Sequence, residues 1–175
     1  MSELVQAFIA HLLRIQETDR GALAHLRRSL SFEPGNYPRA YPYVEQFVGK
    51  DRLSDDPWRK ALYLTAGLFA LHPVQQSNVS FASAFGRMGH ERNNKSIEQR
   101  FIALLDGGPD GLPFHLRQAI SLLAADSRGV DYVALLEDLA RWLNPHNVET
   151  HDRLRRQWAR DFYHAFDPQA GVEAA

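Results

Sequence analysis

Apolar residues recur every three to four positions along most of the chain, which is the spacing of one face of an α-helix. The last such segment is the clearest, because Leu154, Trp158, Phe162 and Phe166 repeat every fourth residue. No segment shows sustained alternation of apolar and polar residues with enrichment in Val, Ile and Thr, as a half-buried strand would. The pattern therefore predicts an all-α protein.

Capping residues help to place nine helices within this pattern. Asp56 and Asp131 each stand where an N-cap is needed, just before an apolar helical segment. Ser96 and Gln99 have the spacing of a capping box, so a helix is predicted to begin at Ser96. The predicted helices run through about residues 4–15, 19–30, 42–48, 57–72, 80–87, 96–105, 113–125, 131–143 and 147–166.

Glycine and proline mark the interruptions between these helices, and Gly86 and Gly89 are predicted to keep the helix at residues 80–87 short. Residues 32–43 hold three prolines and three tyrosines, which predicts an ordered loop with aromatic area for packing. Residues 74–80 are polar and unpatterned and are predicted to form a mobile loop. The strongest break is Asp-Gly-Gly-Pro-Asp-Gly at 106–111. It predicts a boundary between two helical lobes, the N-terminal one at residues 1–106 and the C-terminal one at residues 112–175.

The composition fits a folded protein. Of the 175 residues, 45% are apolar, which is enough for a core in one ordinary domain or two small lobes. The absence of cysteine excludes disulfides, iron–sulfur clusters, thiolate zinc sites and thiol catalysis. The net charge of −1 argues against a polybasic protein that holds nucleic acid through bulk electrostatics. Nucleic-acid binding would therefore depend on local patches.

Neither a membrane span nor a secretion signal is predicted. No apolar stretch approaches the roughly 18 consecutive residues that a spanning helix needs. The first residues lack the basic region and the continuous apolar run of a signal peptide. We therefore expect a cytoplasmic protein without membrane contact. The tail after Pro168 is predicted to be frayed.

Motifs for catalysis and for metal binding are missing. No two of the eight histidines have the His-x-x-x-His spacing. His146 and Glu149 lie within one turn, but the neighbouring Pro145 favours a role at a helix start. The chain has no Gly-x-Ser-x-Gly elbow, and the glycines at 106–111 lack the Gly-Lys-Ser/Thr ending of a phosphate loop. We expect no catalytic residues, no metal ligands and no cofactor.

The cationic side chains are mostly arginine. Of the twenty Lys and Arg residues, only Lys50, Lys60 and Lys95 are lysine. A guanidinium stays charged and forms bidentate hydrogen bonds with phosphate oxygens, whereas an ammonium is a strongly hydrated point charge. The preference for arginine therefore favours ordered contacts with phosphates.

In the last predicted helix, Arg153, Arg156 and Arg160 share a face away from the apolar residues. That face can meet an anion, but Glu149, Asp152 and Asp161 are near enough in sequence to pair with these arginines. Taken alone, the pattern fits a solvated face with ion pairs better than it fits a binding surface.

Four longer segments carry a more specific signal. They are Arg-Gly-Ala-Leu-Ala-His-Leu-Arg-Arg at 20–28, Leu-Phe-Ala-Leu-His-Pro at 68–73, Ser-Ile-Glu-Gln-Arg-Phe-Ile-Ala-Leu-Leu at 96–105 and Trp-Ala-Arg-Asp-Phe-Tyr at 158–163. Their order and spacing resemble those of the CasB family, the small subunit of the type I-E CRISPR surveillance complex, Cascade. The resemblance covers most of the chain, from about residue 20 to residue 163.

This resemblance implies an all-α helical bundle in two small lobes that serves antiviral defence as a scaffold and not as an enzyme. Such a protein pairs with a second copy and contacts other Cascade subunits, the guide RNA and the target DNA. Its basic surfaces hold the displaced strand and the guide–target heteroduplex of the R-loop, largely without sequence specificity. The arginines that the resemblance assigns to this role are Arg27, Arg28, Arg87, Arg100, Arg117, Arg156 and Arg160.

Two other functions are compatible with the sequence. A helical protein–protein adaptor would use its arginines only for ion pairs and would show no salt-dependent affinity for DNA. A small helical hydrolase would need a metal site built from Asp, Glu and His, and it would keep a divalent metal through purification. The missing motifs argue against the hydrolase.

Overall fold

The computed structural model describes residues 2–167, which contain nine α-helices and two short 3-10 turns at Ser29–Ser31 and Pro38–Ala40. The predicted all-α class is confirmed. The tail after Pro168, predicted to be frayed, lies outside the described residues. The helices are α1 (Ser2–Thr18), α2 (Arg20–Arg28), α3 (Tyr41–Val48), α4 (Pro57–Leu71), α5 (Phe81–Arg92), α6 (Lys95–Asp106), α7 (Gly108–Ala125), α8 (Tyr132–Trp142) and α9 (Val148–Phe166).

Helix α4 is the centre of the core. Every residue from Ala61 to Ala70 is buried, so this helix is apolar on all sides, as a fully enclosed helix must be. It packs against α1, α2, α3, α7 and α8. The predicted N-cap at Asp56 is confirmed, because its carboxylate accepts hydrogen bonds from the amides of Trp58 and Arg59 at 2.8 and 3.2 Å. Among the described helices, none is long and apolar enough to cross a membrane.

Helices α5 and α9 pack closely against each other. A side chain at Gly86 would collide with the backbone carbonyl of Phe162, and one at Gly89 would lie 2.8 Å from the ring of Phe166. The sequence predicted that glycines end this helix near Arg87, but α5 continues to Arg92. The two glycines do not terminate the helix, because they are the positions at which α9 approaches its backbone.

Alanine substitutions at a closely packed helix glycine and at an open one are expected to change the free energy of unfolding in opposite directions. Gly86→Ala gains helix propensity but forces α9 outward, and we expect a net loss of about 1–2 kcal/mol in the free energy of unfolding. Gly111→Ala in α7 is the matched control, because its Cβ would lie 3.7 Å from His115, an ordinary contact. It should gain about 0.5–1 kcal/mol. Urea unfolding measures both, and an equal gain for the two variants would contradict the close α5–α9 packing.

The start of α6 differs from the predicted capping box. Ser96 lies inside the helix, and the N-cap is Asn94, whose side chain accepts a hydrogen bond from the Ser96 amide at 2.9 Å. Asn93, with a φ of 45°, closes α5 in the left-handed conformation that asparagine tolerates. Only Asn93 and Asn94 therefore separate α5 from α6, and Asn94 caps α6 where the sequence predicted Ser96.

Helix α7 also begins earlier than predicted, at Gly108 and not at Pro113. Only Gly107 separates α6 from α7, so the break at 106–111 is a sharp corner and not a loop. Pro113 is accommodated near the helix start at the cost of one backbone hydrogen bond. The division into lobes at residues 1–106 and 112–175 stays a prediction, while the packing of α5 on α9 and of α4 on α8 crosses it.

The segment predicted to be a mobile loop, residues 74–80, is tethered. The carboxylate of Asp131 accepts hydrogen bonds from the Gln75 side chain at 3.0 Å and from the Asn78 amide at 2.9 Å. The same carboxylate caps α8 through the Val133 amide at 3.1 Å, as predicted for Asp131. The Asp131 carboxylate thus holds both the 74–80 segment and the start of α8 in place.

Candidate nucleic-acid interface

The seven arginines predicted to bind nucleic acid share two properties. All seven are exposed. Among the described residues, none of them has a carboxylate within ion-pair distance. Their positive charge is therefore available to a phosphate without first breaking a pair. The set consists of Arg27, Arg28, Arg87, Arg100, Arg117, Arg156 and Arg160.

Other arginines are structural. Arg92 donates to Asp126 at the end of α7, and Arg128 donates to Asp126 and to Glu91 of α5. The hydrogen bond from Arg92 is the main cause that holds the pKa of Asp126 below its usual value. The hydrogen bond from Arg128 does the same for the pKa of Glu91. This four-residue cluster ties α5 to the end of α7, so its two arginines have a role within the fold.

Helix α9 contains arginines of both kinds. Arg153 lies 4.0 Å from Glu149, and Arg155 lies 3.8 Å from Asp152. Arg156, one residue further, has no carboxylate at that distance within the described chain. The ion-paired interpretation of this helix is therefore correct for some of its arginines and not for others.

One open groove brings arginines of three elements together. Its lining includes Arg27 and Arg28 from the end of α2, Arg39 from the 32–43 loop and Arg117 from α7. The Nη1 of Arg117 donates to the carbonyl of Leu30 at 3.3 Å, which holds this guanidinium at the edge of the groove. Residues nearly ninety positions apart thus present cations to the same space.

The 32–43 loop is held in place by a buried arginine. The Nη2 of Arg59 donates to the Gly35 carbonyl at 3.2 Å and to Glu45 at 2.7 Å. Its guanidinium lies over the Tyr63 ring, 4.8 Å from the centroid. Gly35 has a φ of 90°, and a side chain there would collide with Arg59. Arg59 is therefore a fixed support for the groove wall and is not free to bind a ligand.

Tyr63 completes this support. Its hydroxyl donates to the Oε1 of Glu45 at 2.6 Å. The pKa of Tyr63 lies far above its usual value, mainly because the side chain is buried and next because of its hydrogen bond to Glu45. The hydroxyl therefore stays a donor at all ordinary pH values, and Glu45 is shared by a tyrosine and an arginine.

Two further grooves extend the first one along the surface. Phe32 and Arg117 also line a second groove, together with Glu33 and Asp110. Arg117 and Phe114 line a third groove, which contains Arg100. We call these three adjoining grooves the arginine surface, and its cations are Arg27, Arg28, Arg39, Arg100 and Arg117.

The structure thus brings together four of the seven predicted arginines. Arg87, on α5, and the pair Arg156 and Arg160, on the exposed face of α9, line none of these three grooves. They are separate exposed cations, and their assignment to nucleic acid stays a prediction.

Sequence reasoning missed three residues of the arginine surface. Arg39 stands in the 32–43 loop, and Phe32 and Phe114 are 46% and 61% exposed. The aromatic residues of the loop were expected to pack, which Tyr41 does against Tyr63, whereas Phe32 is left at the surface. The sequence signal for Arg39 was its position beside aromatic residues in a proline-rich loop.

The described residues contain no group of three or more His, Cys, Asp or Glu side chains that could hold a metal ion. His146, considered with Glu149, lies beside the start of α9, where Asn147 is the N-cap through its bond to the Thr150 amide at 3.1 Å. The candidate site is the arginine surface with its exposed phenylalanine rings.

Comparison with known proteins gives a consistent result. The family model described as CRISPR-associated protein Cse2 matches residues 22–163. CRISPR-associated protein Cse2 of Thermus thermophilus is 40% identical over 162 residues, which cover 91% of this chain and 90% of that protein. The crystal structure of M. ruber CasB matches with a TM-score of 0.78 at 31% identity, and the match covers 97% of each chain. A chain of a CRISPR RNA-guided surveillance complex matches with a TM-score of 0.78 at 22% identity over 98% of each chain, which supports the fold alone.

Proposed function

We propose, because this chain belongs to the Cse2 family of CRISPR-associated proteins, that it is a non-catalytic small subunit of a type I-E Cascade complex. In that role it binds nucleic acid largely without sequence specificity. It stabilises the R-loop, in which the guide RNA pairs with one DNA strand and the other strand is displaced. Sequence choice is left to base pairing, so the subunit needs contacts with phosphates and not with base edges.

The observation that carries this proposal is the arginine surface. Guanidinium groups from α2, the 32–43 loop, α6 and α7 line adjoining grooves, and those of Arg27, Arg28, Arg100 and Arg117 have no carboxylate partner in the described chain. Because the net charge is only −1, attraction is confined to such patches. Weak contacts of this kind become effective in an assembled complex, where they act together with those of other subunits.

The partners that follow from this role are other Cascade subunits, the guide RNA, the target DNA and a second copy of the chain. A different face of the molecule suits protein neighbours. Asp51, Asp55 and Asp56 line a groove with Arg52, which is ion-paired with Asp56, and with the exposed Leu4 and Leu53, so the acids outnumber the cation. An acidic and apolar groove repels phosphate, and it can accept a basic or apolar segment of a neighbouring subunit.

The test is the target-DNA affinity of the guide-RNA complex, assembled with and without this protein, across a salt series. We expect the complex without the protein to bind target DNA more weakly and with a shallower dependence on salt, because fewer phosphates are neutralised. If the protein joins the complex and the affinity does not change, the R-loop role is excluded. If it does not join the complex at all, a protein–protein adaptor in another assembly becomes the better description.

The exposed face of α9 provides a separate test. Arg156→Ala combined with Arg160→Ala is expected to weaken target-DNA retention by the assembled complex and to leave the melting temperature unchanged. Both side chains lie off the buried Leu154, Trp158 and Phe162 face. The control that removes the same charge is Arg14→Ala combined with Arg20→Ala, two exposed arginines outside α9. Retention equal to the wild type, with normal folding, would remove the two α9 arginines from the DNA-binding set.

A further inference from the structure

Two phenylalanine rings are exposed along the arginine surface. Single exposed apolar side chains are common and need no explanation. Phe32 and Phe114, however, lie on the same surface as five arginines and line its middle groove together. Their exposed fractions, 46% and 61%, leave ring area that no part of the described chain covers.

Phe32 stacks on the ring of Tyr37. Its ring lies 4.8 Å from that of Tyr37 with an interplanar angle of 23°, and the Tyr37 ring lies 6.4 Å from that of His25. The Phe32 amide donates to the Ser29 carbonyl at 3.0 Å, which fixes the backbone at the end of the 3-10 turn. One face of Phe32 is therefore occupied by Tyr37, and a further planar group can extend the stack on the other face.

Phe114 projects from the same face of α7 as Arg117, because the two are three residues apart in the helix. Its ring meets that of His115 edge to face at 5.4 Å. A planar group placed against Phe114 thus lies within reach of the Arg117 guanidinium, which lines all three grooves.

The charges of the three grooves differ in sign. Arginines line the first and third grooves without an acidic side chain, whereas Glu33 and Asp110 outnumber Arg117 in the middle groove between Phe32 and Phe114. Phosphates are therefore attracted most strongly to the two ends of the surface. A bound strand would therefore place its backbone at the ends and its bases toward the two rings.

From this arrangement we propose that the arginine surface is a binding site for single-stranded DNA in which unpaired bases stack on Phe32 and Phe114. The inference rests on the proposed function and goes further, because it names the strand chemistry and the residues that hold the bases. Aromatic side chains interleaved with cations bind single strands without reading the sequence, since every base has a stacking face. The base faces of a duplex are already stacked, so a duplex cannot use these rings.

The test compares two single-stranded probes with equal numbers of phosphates, an oligothymidylate and an abasic oligodeoxyribonucleotide, each of about 12 nucleotides. Binding of the full chain is followed by fluorescence anisotropy. The wild type is expected to prefer the oligothymidylate. Phe32→Ala and Phe114→Ala should each weaken that binding by about 5- to 150-fold, the range that loss of one base stack gives. Both variants should leave abasic binding and the salt slope unchanged.

Matched variants separate stacking from charge and from folding. Phe32→Trp keeps a stacking surface and should retain the preference for oligothymidylate. Leu53→Ala removes an exposed apolar side chain of the acidic groove and should bind both probes like the wild type. Arg27→Ala with Arg28→Ala should weaken both probes alike and reduce the salt slope, because it removes phosphate contacts.

Three results would overturn the inference: equal wild-type affinity for the two probes, no binding of oligothymidylate at low salt, or unchanged binding in folded Phe32→Ala and Phe114→Ala variants. If only the arginine variants weaken binding, the grooves hold phosphates without stacking, and the R-loop role still stands. Failure of the R-loop role appears instead as an unchanged target affinity when the protein is left out of the complex.

Discussion

An alanine in place of Trp158 is expected to lower the free energy of unfolding by about 3–5 kcal/mol. Trp158 is 2% exposed and packs against Phe81 of α5 and Trp142 of α8, whose ring centroids lie 5.2 and 4.8 Å from its own. The side chain therefore joins α9 to two other helices, and a cavity there weakens both contacts. Urea unfolding followed by circular dichroism measures the loss. A loss no greater than that of an exposed α9 substitution such as Gln157→Ala would contradict the packing.

A second variant at this position separates packing from hydrogen bonding. The Nε1 of Trp158 donates to the Oδ2 of Asp138 at 2.7 Å. Burial raises the pKa of Asp138, and the hydrogen bond from Trp158 and the charge of Arg141 oppose that rise. Trp158→Phe keeps a ring but removes the donor, so the pKa of Asp138 in the folded protein should rise further.

The sign of the pH dependence follows from this shift. A raised folded-state pKa gives stability that is complete below the ordinary Asp value of 3.8 and is lost as the pH rises through the folded value. We therefore expect the stability deficit of Trp158→Phe to be larger at neutral pH than near 3.8. A deficit that is the same at both pH values would show that the hydrogen bond to Asp138 does not matter.

The fold could be predicted where one local interaction decides an element. Asp56 and Asp131 cap their helices as the sequence predicts, because the bonds they make reach only two or three residues along the chain. Gly86 was misinterpreted for the opposite reason. Glycine is needed at this position because the backbone of Phe162, a residue 76 positions away, lies against it. The local sequence pattern does not show this approach.

The candidate site divides in the same way. Helical spacing correctly places Arg156 and Arg160 away from the buried face of α9. It cannot show that Arg59 is ion-paired with Glu45, or that Arg117 lines the same groove as Arg27 and Arg28. Those relations depend on how α2, α4 and α7 pack, and the arginine surface becomes visible only when they are assembled.

Removing three cations from the arginine surface is expected to have the largest effect on function. A chain carrying Arg27→Ala, Arg28→Ala and Arg117→Ala should fold normally, because all three side chains are exposed and none is ion-paired in the described chain. In the assembled complex we expect target-DNA affinity to fall by about 10³-fold or more, since three hydrogen bonds to charged groups, each contributing about 1.5–3 kcal/mol, are lost. The slope of log affinity against log salt should become shallower by about 2–3, one unit for each lost phosphate contact.

The control for this experiment must change the charge equally without touching the arginine surface. Arg14, Arg20 and Lys50 are exposed, line none of its three grooves and have no carboxylate within ion-pair distance in the described chain, so their triple alanine variant has the same net charge. Gel filtration verifies that each variant enters the complex before affinity is measured. If both triple variants lower the affinity equally, the protein acts through bulk charge and the groove geometry is irrelevant. If only the arginine-surface variant flattens the salt slope, the phosphates lie where α2, α7 and the 32–43 loop bring the guanidinium groups together.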